Sequence, residues 1–294
     1  MNTVPLPKIT PEMIRLYDEY THVTLDRRGF LAKLTRLAGS SAAAAAILAM
    51  LENDYAKAAL VQADDPRIKA ETVTFKGSDG DVTGYLVKPA NISGKLPGVV
   101  VVHENRGLNP HIEDVARRVA LEGFLVLAVD FLSPAGGTPA DEDKARDMIA
   151  ALDMGKAVGN GVKAIAYLKS RSDGNGKVGT VGFCWGGGMV NRMAVNAPSL
   201  DAAVAYYGPQ PDPKDVPKIK AKLLLHYAGK DERINAGIPA YETALKAANI
   251  PYTLYMYEGV DHAFNNDTNA ARYNKAAADL AFGRTIDFLK KTLG

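Results

Sequence analysis

Beyond about residue 70, short apolar runs alternate with longer segments in which apolar residues recur at helical spacing. The run of four valines at 99–102 is typical of a strand that is covered on both faces of a sheet. Turn residues at 78–80 separate the first two runs, which predicts an antiparallel hairpin. The pattern predicts strands at 71–76, 82–88, 97–103, 124–130, 177–181, 202–207, 222–227 and 252–257, and helices at 112–122, 144–152, 162–170, 189–197, 241–248 and about 273–291.

This order of strands and helices predicts an α/β fold with a mostly parallel sheet and helices on both faces. Because crossovers between parallel strands are right-handed, the carboxyl ends of the strands lie along one edge of the sheet. In open α/β sheets, ligands and catalytic groups gather at that edge. The loops that follow the predicted strands are therefore the expected place for functional side chains.

Residues 1–65 differ from the rest and form a predicted N-terminal extension, and the α/β domain is expected to span 66–294. An arginine pair within 26–33 precedes an alanine-rich apolar run at 42–51 and the small-x-small sequence Ala56-Lys57-Ala58. This order resembles a twin-arginine export signal, which predicts a periplasmic protein. Helix-like apolar spacing in the same segment favours a retained helical arm on a cytoplasmic protein instead. The sequence leaves both interpretations open, although the apolar run is too short for a transmembrane anchor.

The composition excludes several classes of function. The formal net charge is +2, from 35 basic and 33 acidic residues, and no basic patch is interleaved with aromatic residues. Nucleic-acid binding is therefore not expected. A single cysteine cannot form an intramolecular disulfide, and the five histidines are scattered without a Cys/His cluster. We therefore expect no metal and no cofactor.

The sequence Gly182-Phe183-Cys184-Trp185-Gly186 lies between a predicted strand and a predicted helix. In the G-x-S-x-G pattern, the nucleophile occupies a sharp strand-to-helix turn whose glycines avoid steric clashes, and here cysteine takes the place of serine. The amino end of the following helix also favours a thiolate, the reactive form of cysteine. A lone cysteine is more commonly a small buried hydrophobic residue. Glycines on both sides favour the nucleophile.

An activated thiol needs a base, and the base needs a group that orients it. Enzymes with this turn carry both partners later in the chain, in the order nucleophile, acid, histidine. His262, after the last predicted strand, is the candidate base, and Asp231, after the strand that ends near residue 227, is the candidate acid. A solvated loop histidine and a turn or cap aspartate are the structural alternatives. Asp261 is a poorer acid, because neighbours in sequence rarely point at one another. Core or surface positions suffice for three other histidines: His22, His111 and His226.

The segment 103–107, His-Glu-Asn-Arg-Gly, follows the third predicted strand, where this type of fold places its second oxyanion donor. The backbone N–H groups of Asn105 and Trp185 are the predicted oxyanion hole. Glu104 is either a surface carboxylate or a group that points into the pocket and tunes the thiol.

With these motifs, the chain resembles the dienelactone hydrolase family, the carboxymethylenebutenolidases of the α/β-hydrolase fold. The resemblance covers about residues 70–292. It implies a triad of Cys184, His262 and Asp231, with Glu104 held near the thiol in the resting enzyme. It also implies cleavage of an ester or lactone without a metal or cofactor. The matching pieces are 103–107, 182–187, Asp231 and 261–264.

Two positions depart from the family pattern. Family members bind the substrate carboxylate with arginines, one of them four residues after the catalytic histidine, where this chain has Asn266. The other arginine follows the fourth strand, where this chain has Leu132-Ser133-Pro134. These departures point away from dienelactone itself as the substrate, unless Arg106 or Arg233 replaces the lost charge. The candidate substrate-binding residues are Arg106, Arg233 and Asn266.

The predicted function is hydrolysis of a small-molecule ester or lactone, in which His262 helps to generate the Cys184 thiolate. A broader carboxylesterase or thioesterase is the alternative within this class. A non-catalytic binding module on the same fold, with the N-terminal extension forming a homodimer, is the alternative outside it.

Overall fold

The computed structural model describes residues 7–22, 25–55 and 59–294. Within these ranges, eight strands form one sheet. The strands are β1 Ile68–Lys76, β2 Asp81–Pro89, β3 Leu96–Val102, β4 Leu125–Val129, β5 Gly174–Phe183, β6 Ala202–Tyr206, β7 Lys222–Ala228 and β8 Tyr252–Tyr257. Their order in the sheet is β1-β2-β4-β3-β5-β6-β7-β8. β2 runs antiparallel to both β1 and β4, and all other neighbouring strands are parallel.

Helices cover both faces of this sheet. The helices of the described ranges are α1 Pro11–His22, α2 Arg27–Ala38, α3 Ser41–Leu51, α4 Pro110–Leu121, α5 Glu142–Ala150, α6 Met154–Ser170, α7 Trp185–Asn196, α8 Glu232–Asn235, α9 Ile238–Ala247 and α10 Lys275–Leu293. Buried side chains of α6, α7 and α9 belong to the apolar layer on one face, and those of α4 and α10 belong to the layer on the other. The predicted α/β fold is confirmed.

The carboxyl ends of the parallel strands lie along one edge of the sheet, as predicted. β3 ends at Val102, β5 at Phe183, β7 at Ala228 and β8 at Tyr257. The loops after these four strands carry Glu104, Cys184, Asp231 and His262. Parallel pairing therefore brings together side chains that are far apart in the sequence.

Residues 7–22 and 25–55, which we call the N-terminal arm, fold into the helices α1, α2 and α3 with an apolar cluster of their own. Side-chain caps begin α2 and α3, because Asp26 accepts a hydrogen bond from the N–H of Gly29 and Ser40 from that of Ala43. Gly39 ends α2 at a φ of 79°, a left-handed conformation that glycine adopts without strain. The predicted helical extension is therefore present.

The arm docks on the loops at the carboxyl edge of the sheet. The Asn105 amide donates to the carbonyl oxygen of Thr21 at 2.6 Å, and the Tyr20 hydroxyl donates to Asp143 at 2.6 Å. Farther along, the Asn269 amide donates to the carbonyl oxygen of Leu51 at 2.5 Å. Contacts at both ends of the arm hold it across the predicted site.

The structure bears on the predicted export signal in only one respect. No single helix in the described ranges is long and apolar enough to cross a membrane, and α2 and α3 reach that length and composition only as a pair bent by 112°. The small-x-small sequence Ala56-Lys57-Ala58 lies outside the described residues. The export signal stays a prediction.

Candidate active site

Cys184 occupies a sharp turn between β5 and α7, with φ 56° and ψ −116°. A side chain rarely adopts this backbone conformation, and such strain is concentrated at functional positions. The glycines on either side are sterically required. A Cβ at Gly182 would lie 2.2 Å from the carbonyl oxygen of Gly186, and a Cβ at Gly186 would lie 2.4 Å from the carbonyl oxygens of Val102 and His103. The strand, turn and helix are thus arranged as the glycine spacing predicted.

His262 and Asp231 form a hydrogen-bonded pair close to this turn. The Nδ1 atom of His262 lies 2.5 Å from Oδ2 of Asp231, and both side chains are buried. The other oxygen of Asp231 accepts from the N–H of Ile234 and so caps α8. Among the described residues, the buried Nε2 atom of His262 has no hydrogen-bond partner. Asp261, the poorer candidate, pairs with Lys230 at 3.6 Å instead.

His22, at the end of α1, is the side chain that contacts the thiol. Its Nε2 atom lies 2.9 Å from Sγ of Cys184, and its ring packs edge-on against His262 with the centroids 4.5 Å apart. The sequence predicts a core or surface position for His22, whereas the structure places it against the thiol. The sequence shows that Asp18 and His22 share a helix face, since they are four residues apart. It does not show that this face meets a loop 162 residues away.

Asp18 lies beside His22. Nδ1 of His22 forms hydrogen bonds with the backbone carbonyl oxygen of Asp18 at 3.0 Å and the Thr21 hydroxyl at 2.9 Å, and it lies 3.1 Å from Oδ1 of Asp18 as an ion-pair contact. Arg272 and Arg233 approach the same carboxylate at 3.7 and 3.9 Å. Burial opposes ionisation, but the charges of His262, His22 and Arg272 outweigh it and hold the pKa of Asp18 below its usual range. Burial also opposes a charge on His22, but Cys184 and Asp18 outweigh it and raise the pKa of His22.

Glu104 points into the site, where Asn266 and Tyr207 hold its carboxylate. The Asn266 amide donates to Oε2 at 2.7 Å, and the Tyr207 hydroxyl donates to Oε1 at 3.5 Å. Burial, followed by the charges of Glu104 and Cys184, raises the pKa of Tyr207 well above its usual value, so the hydroxyl keeps its proton. The carbonyl oxygen of the Asn266 amide accepts hydrogen bonds from the N–H and the hydroxyl of Thr268. Both ends of the Asn266 amide are therefore hydrogen-bonded.

The two predicted oxyanion donors lie on adjacent segments. Trp185 opens α7, and its ring stacks on His103 with the centroids 5.3 Å apart. Close contact of Gly186 with the end of β3 brings the loop of Asn105 beside the turn. Cys184, Asn105 and Trp185 all line one cavity.

That cavity has a volume of about 750 Å³ and reaches the thiol from the surface. Its wall combines apolar, basic and acidic side chains with the site histidines. The lining includes His22, Arg146, Ile149, Met154, Trp185, Arg233, Ile234 and His262. On the other side of the thiol, a space of about 10 Å³ lies between Arg106, Arg272 and Glu104, which is room for about one water molecule.

The candidate arginines differ in how strongly they are paired. Arg106 is buried, donates to the carbonyl oxygen of Glu142 at 2.9 Å and lies 3.4 Å from Asp143. Arg233 is more open, with 37% of its side chain exposed. Arg272, which the sequence analysis did not single out, is buried beside Asp18 with its guanidinium 5.2 Å from the ring centre of Tyr17.

Two other histidines have structural roles, as predicted. His226 bonds Tyr257 and Thr285 within the core, and burial, with a smaller effect of Arg284, lowers its pKa to about 3 and keeps it neutral. His111 pairs with Asp267 at 3.1 Å.

The donor atoms of His22, Cys184 and His262 lie within 4.8 Å of one another, and zinc prefers such ligands. A sulfur and a nitrogen on one tetrahedral zinc are about 3.6 Å apart at the usual bond lengths. The 2.9 Å between Sγ and Nε2 of His22 is shorter than this separation and places the thiol and the imidazole in direct contact. The arrangement described here is a thiol–imidazole pair.

Comparison with known proteins relates the chain to one family of hydrolases. The model of the dienelactone hydrolase family matches residues 82–293. A carboxymethylenebutenolidase of Pseudomonas putida is 32% identical over 229 residues, which cover 74% of this chain and 95% of that protein. A protein of Escherichia coli K12, provisionally named a hydrolase fragment, is 54% identical over 112 residues, which cover 37% of this chain and 96% of that protein.

A solved structure has the same fold. A protein of Klebsiella pneumoniae, provisionally named a dienelactone hydrolase, superposes with a TM-score of 0.67 at 27% identity and covers 75% of this chain and 97% of its own. The chain therefore belongs to the dienelactone hydrolase family and is a hydrolase of the α/β-hydrolase fold.

Proposed function

We propose that this enzyme hydrolyses a small-molecule ester or lactone, with Cys184 as the nucleophile and His262 and Asp231 as its acid–base pair. One observation carries the proposal. Cys184 lies on the strained turn at the base of a cavity that His262 also lines, and Asp231 holds Nδ1 of His262 at 2.5 Å. A nucleophile beside a histidine that a carboxylate orients is the arrangement used for acyl transfer.

In the first half of the reaction, Sγ of Cys184 attacks the carbonyl carbon as a thiolate. The backbone N–H groups of Asn105 and Trp185 stabilise the tetrahedral oxyanion, since they lie on the two segments that meet at the turn. The C–O bond breaks and the leaving oxygen takes up a proton, which gives a thioester and an alcohol. In a lactone the alcohol stays attached to the acyl group.

In the second half, water cleaves the thioester. Nε2 of His262 removes a proton from the water as its oxygen attacks the carbonyl carbon, and Asp231 stabilises the imidazolium that forms. The C–S bond breaks, and the proton on His262 passes to Sγ of Cys184. The free acid leaves and the thiol is regenerated.

The cavity indicates the kind of acyl group that fits. Ile149, Met154 and Ile234 offer an apolar wall, and Arg233 offers a cation that is partly open to the cavity. Hydrogen bonds at 2.7 and 2.9 Å hold Asn266 and Arg106 to other groups, so we assign them positioning roles. In the described part of the chain, Arg233 has only a 3.9 Å ionic contact with Asp18 and is the candidate for a substrate carboxylate. A moderately apolar ester or lactone, with or without one carboxylate, is the class we propose.

Hydrolysis of a small aryl ester and of a dienelactone, measured side by side, tests this proposal. We expect the native chain to cleave the aryl ester and Cys184→Ala to lose the activity, while Cys184→Ser controls for packing because it nearly preserves the side-chain volume. Cleavage of the aryl ester alone would identify a general carboxylesterase. Failure of the native chain on both substrates would contradict the proposal and favour a binding module.

A further inference from the structure

Cys184 is flanked by two histidines, each with an aspartate carboxylate close to its Nδ1 atom, and they contact the thiol differently. His262 is paired with Asp231, and its Nε2 atom has no hydrogen-bond partner among the described residues. His22 is paired with Asp18, and its Nε2 atom lies 2.9 Å from Sγ. Among the described residues, the imidazole that forms a hydrogen bond with the thiol is therefore that of His22, and the Asp18 carboxylate adjoins it as an ion-pair partner.

We propose that the N-terminal arm is part of the active site and that His22, paired with Asp18, is the catalytic residue that takes the proton of Cys184. This inference rests on the proposed function, because it assigns one proton transfer of that reaction. It leaves His262 to activate the water that cleaves the thioester.

The surroundings of Asp18 support this assignment. Arg272 and Arg233 approach its carboxylate from the main domain, which favours the ionised form. An ionised Asp18 at Nδ1 stabilises the imidazolium that forms when Nε2 takes a proton from sulfur. The Asn105 amide holds the backbone of the neighbouring Thr21 at 2.6 Å, and this fixes the end of α1 over the thiol.

Glu104 is the acid that the family resemblance placed near the thiol, and here it is engaged elsewhere. Its two oxygens accept from Asn266 and Tyr207, whereas the hydrogen-bond partner of Sγ is Nε2 of His22. The partner of the resting thiol in this chain is thus a side chain of the N-terminal arm.

The proton balance of this scheme closes. The S–H bond of Cys184 breaks and its proton moves to Nε2 of His22, which leaves a thiolate beside an imidazolium. The thiolate forms the bond to the carbonyl carbon, and the leaving oxygen takes the proton from His22. In the second half, His262 takes a proton from water and returns it to Sγ as the thioester breaks.

Alkylation by iodoacetamide tests this step without any substrate. Cys184 is the single cysteine, so each alkylation reports on the site thiol. Only the thiolate reacts, and below neutral pH its fraction depends on the imidazole that holds the proton. We expect His22→Gln to slow alkylation by about tenfold or more at about pH 6 and to leave it unchanged at high pH, where hydroxide can take the thiol proton without the imidazole. Asp18→Asn, which keeps the imidazole, should slow it in the same direction.

Two exposed residues of α1 supply matched controls. Arg15→Gln removes a positive charge and Glu12→Gln removes a negative one, and we expect both variants to alkylate at the native rate. If a substitution loosened the N-terminal arm, the thiol would become more exposed and alkylation would be faster. Slower alkylation of His22→Gln would therefore come from loss of the imidazole and not from undocking of the arm. Turnover of an aryl ester should fall by about 100-fold or more in kcat, with KM changed less than about twofold.

Two results would overturn the inference. Native alkylation rates for His22→Gln at low pH would show that His22 does not hold the proton. Faster alkylation together with faster turnover would show that the arm covers the thiol and inhibits the enzyme. If the native chain hydrolyses no ester while the alkylation shift persists, the proposed function fails and the thiol–imidazole pair stands.

Discussion

At the scale of single residues, backbone contacts fix the position of Cys184. The carbonyl oxygens of Val102 and His103 lie so close to Gly186 that they leave no room for a Cβ atom there. The N–H of Cys184 donates to the carbonyl oxygen of Tyr206 at 3.0 Å, which ties the turn to β6. The strained conformation of Cys184 is therefore supported on both sides, as preorganisation of a nucleophile requires.

Gly186→Ala should destabilise the protein. The added methyl group would lie 2.4 Å from two backbone oxygens that belong to the sheet, so the turn would have to move. We expect a loss of about 3 kcal/mol or more in the free energy of unfolding, measured with urea. Gly283→Ala is the matched control, because nothing lies within 4 Å of its added methyl group and alanine favours a helix by about 1 kcal/mol. Equal effects of the two substitutions would contradict this explanation.

Asn266→Leu should cost about 1–3 kcal/mol in the free energy of unfolding, since it leaves the buried Glu104 carboxylate without its 2.7 Å donor. A double-mutant cycle with Glu104→Gln measures the coupling by urea unfolding. We expect the two substitutions to be strongly non-additive. Additive losses would mean that Asn266 does not act through Glu104 and would return it to the candidates for substrate binding.

At the scale of elements, the N-terminal arm is a separate apolar cluster that presents one helix end to the thiol. Phe30, Leu34, Ile47 and Leu51 are almost fully buried in that cluster. The position of His22 therefore depends on packing within the arm as well as on contacts with the main domain. Burial of this many apolar side chains is typical of a folded structural element.

Leu34→Ala should loosen the arm while the sheet stays intact. Leu34 is 0% exposed, and truncation of such a leucine costs about 2–5 kcal/mol. We expect faster hydrogen exchange in α1, α2 and α3, unchanged exchange in β5 and β6, and lower ester turnover. Leu280→Ala, at a position that is 51% exposed in α10, controls for the loss of a leucine. Uniformly faster exchange across the sheet would show that the arm and the main domain unfold as one unit.

At the scale of the whole molecule, docking of the arm depends on charge. Asp18 and His22 face titratable and charged groups from three other parts of the fold. These groups are Cys184, Arg233, His262 and Arg272. The pKa of Asp18 is lowered and the pKa of His22 is raised in this setting.

These directions set the pH dependence of docking. Ionised Asp18 contributes to the free energy of docking of the arm. This contribution is complete above the usual pKa of Asp, about 4, and is lost as the pH falls through the lowered pKa of Asp18. Protonated His22 contributes to the same free energy. This contribution is complete below the usual pKa of His, about 6.5, and is lost as the pH rises through the raised pKa of His22. Exchange protection of α1, corrected for the intrinsic rate, should therefore decline on the alkaline side, and His22→Gln should remove that decline. Protection that rises with pH would contradict the pairing.

Much of this fold follows from local patterns. The valines of β3, the hairpin of β1 and β2 and the glycines around Cys184 each predict their structure, because their constraints act between near neighbours in sequence or across one sheet. Cys184, Asp231 and His262 each follow a strand of the parallel part of the sheet, and parallel pairing places them at one edge.

The contacts of the arm do not follow from such patterns. Asp18 and His22 share a helix face, but α1 meets Cys184 through tertiary packing that no periodicity encodes. Likewise, the sequence shows only that Asn266 stands where family members have an arginine. Its hydrogen bond to Glu104 joins residues 162 positions apart and cannot be predicted from a local pattern. The domain boundary near residue 65 and the export signal stay predictions.

The most direct test of the nucleophile is the mass of the intact protein during turnover. When turnover of an aryl ester is quenched rapidly, we expect the intact mass to rise by the mass of the acyl group. Digestion of the quenched protein should then place this group on the peptide that contains Cys184. The adduct should be absent in Cys184→Ala and should persist in His262→Gln, because water is then no longer activated. Turnover of the ester by Cys184→Ala at the native rate, or an acyl group found only on another residue, would contradict the proposed function.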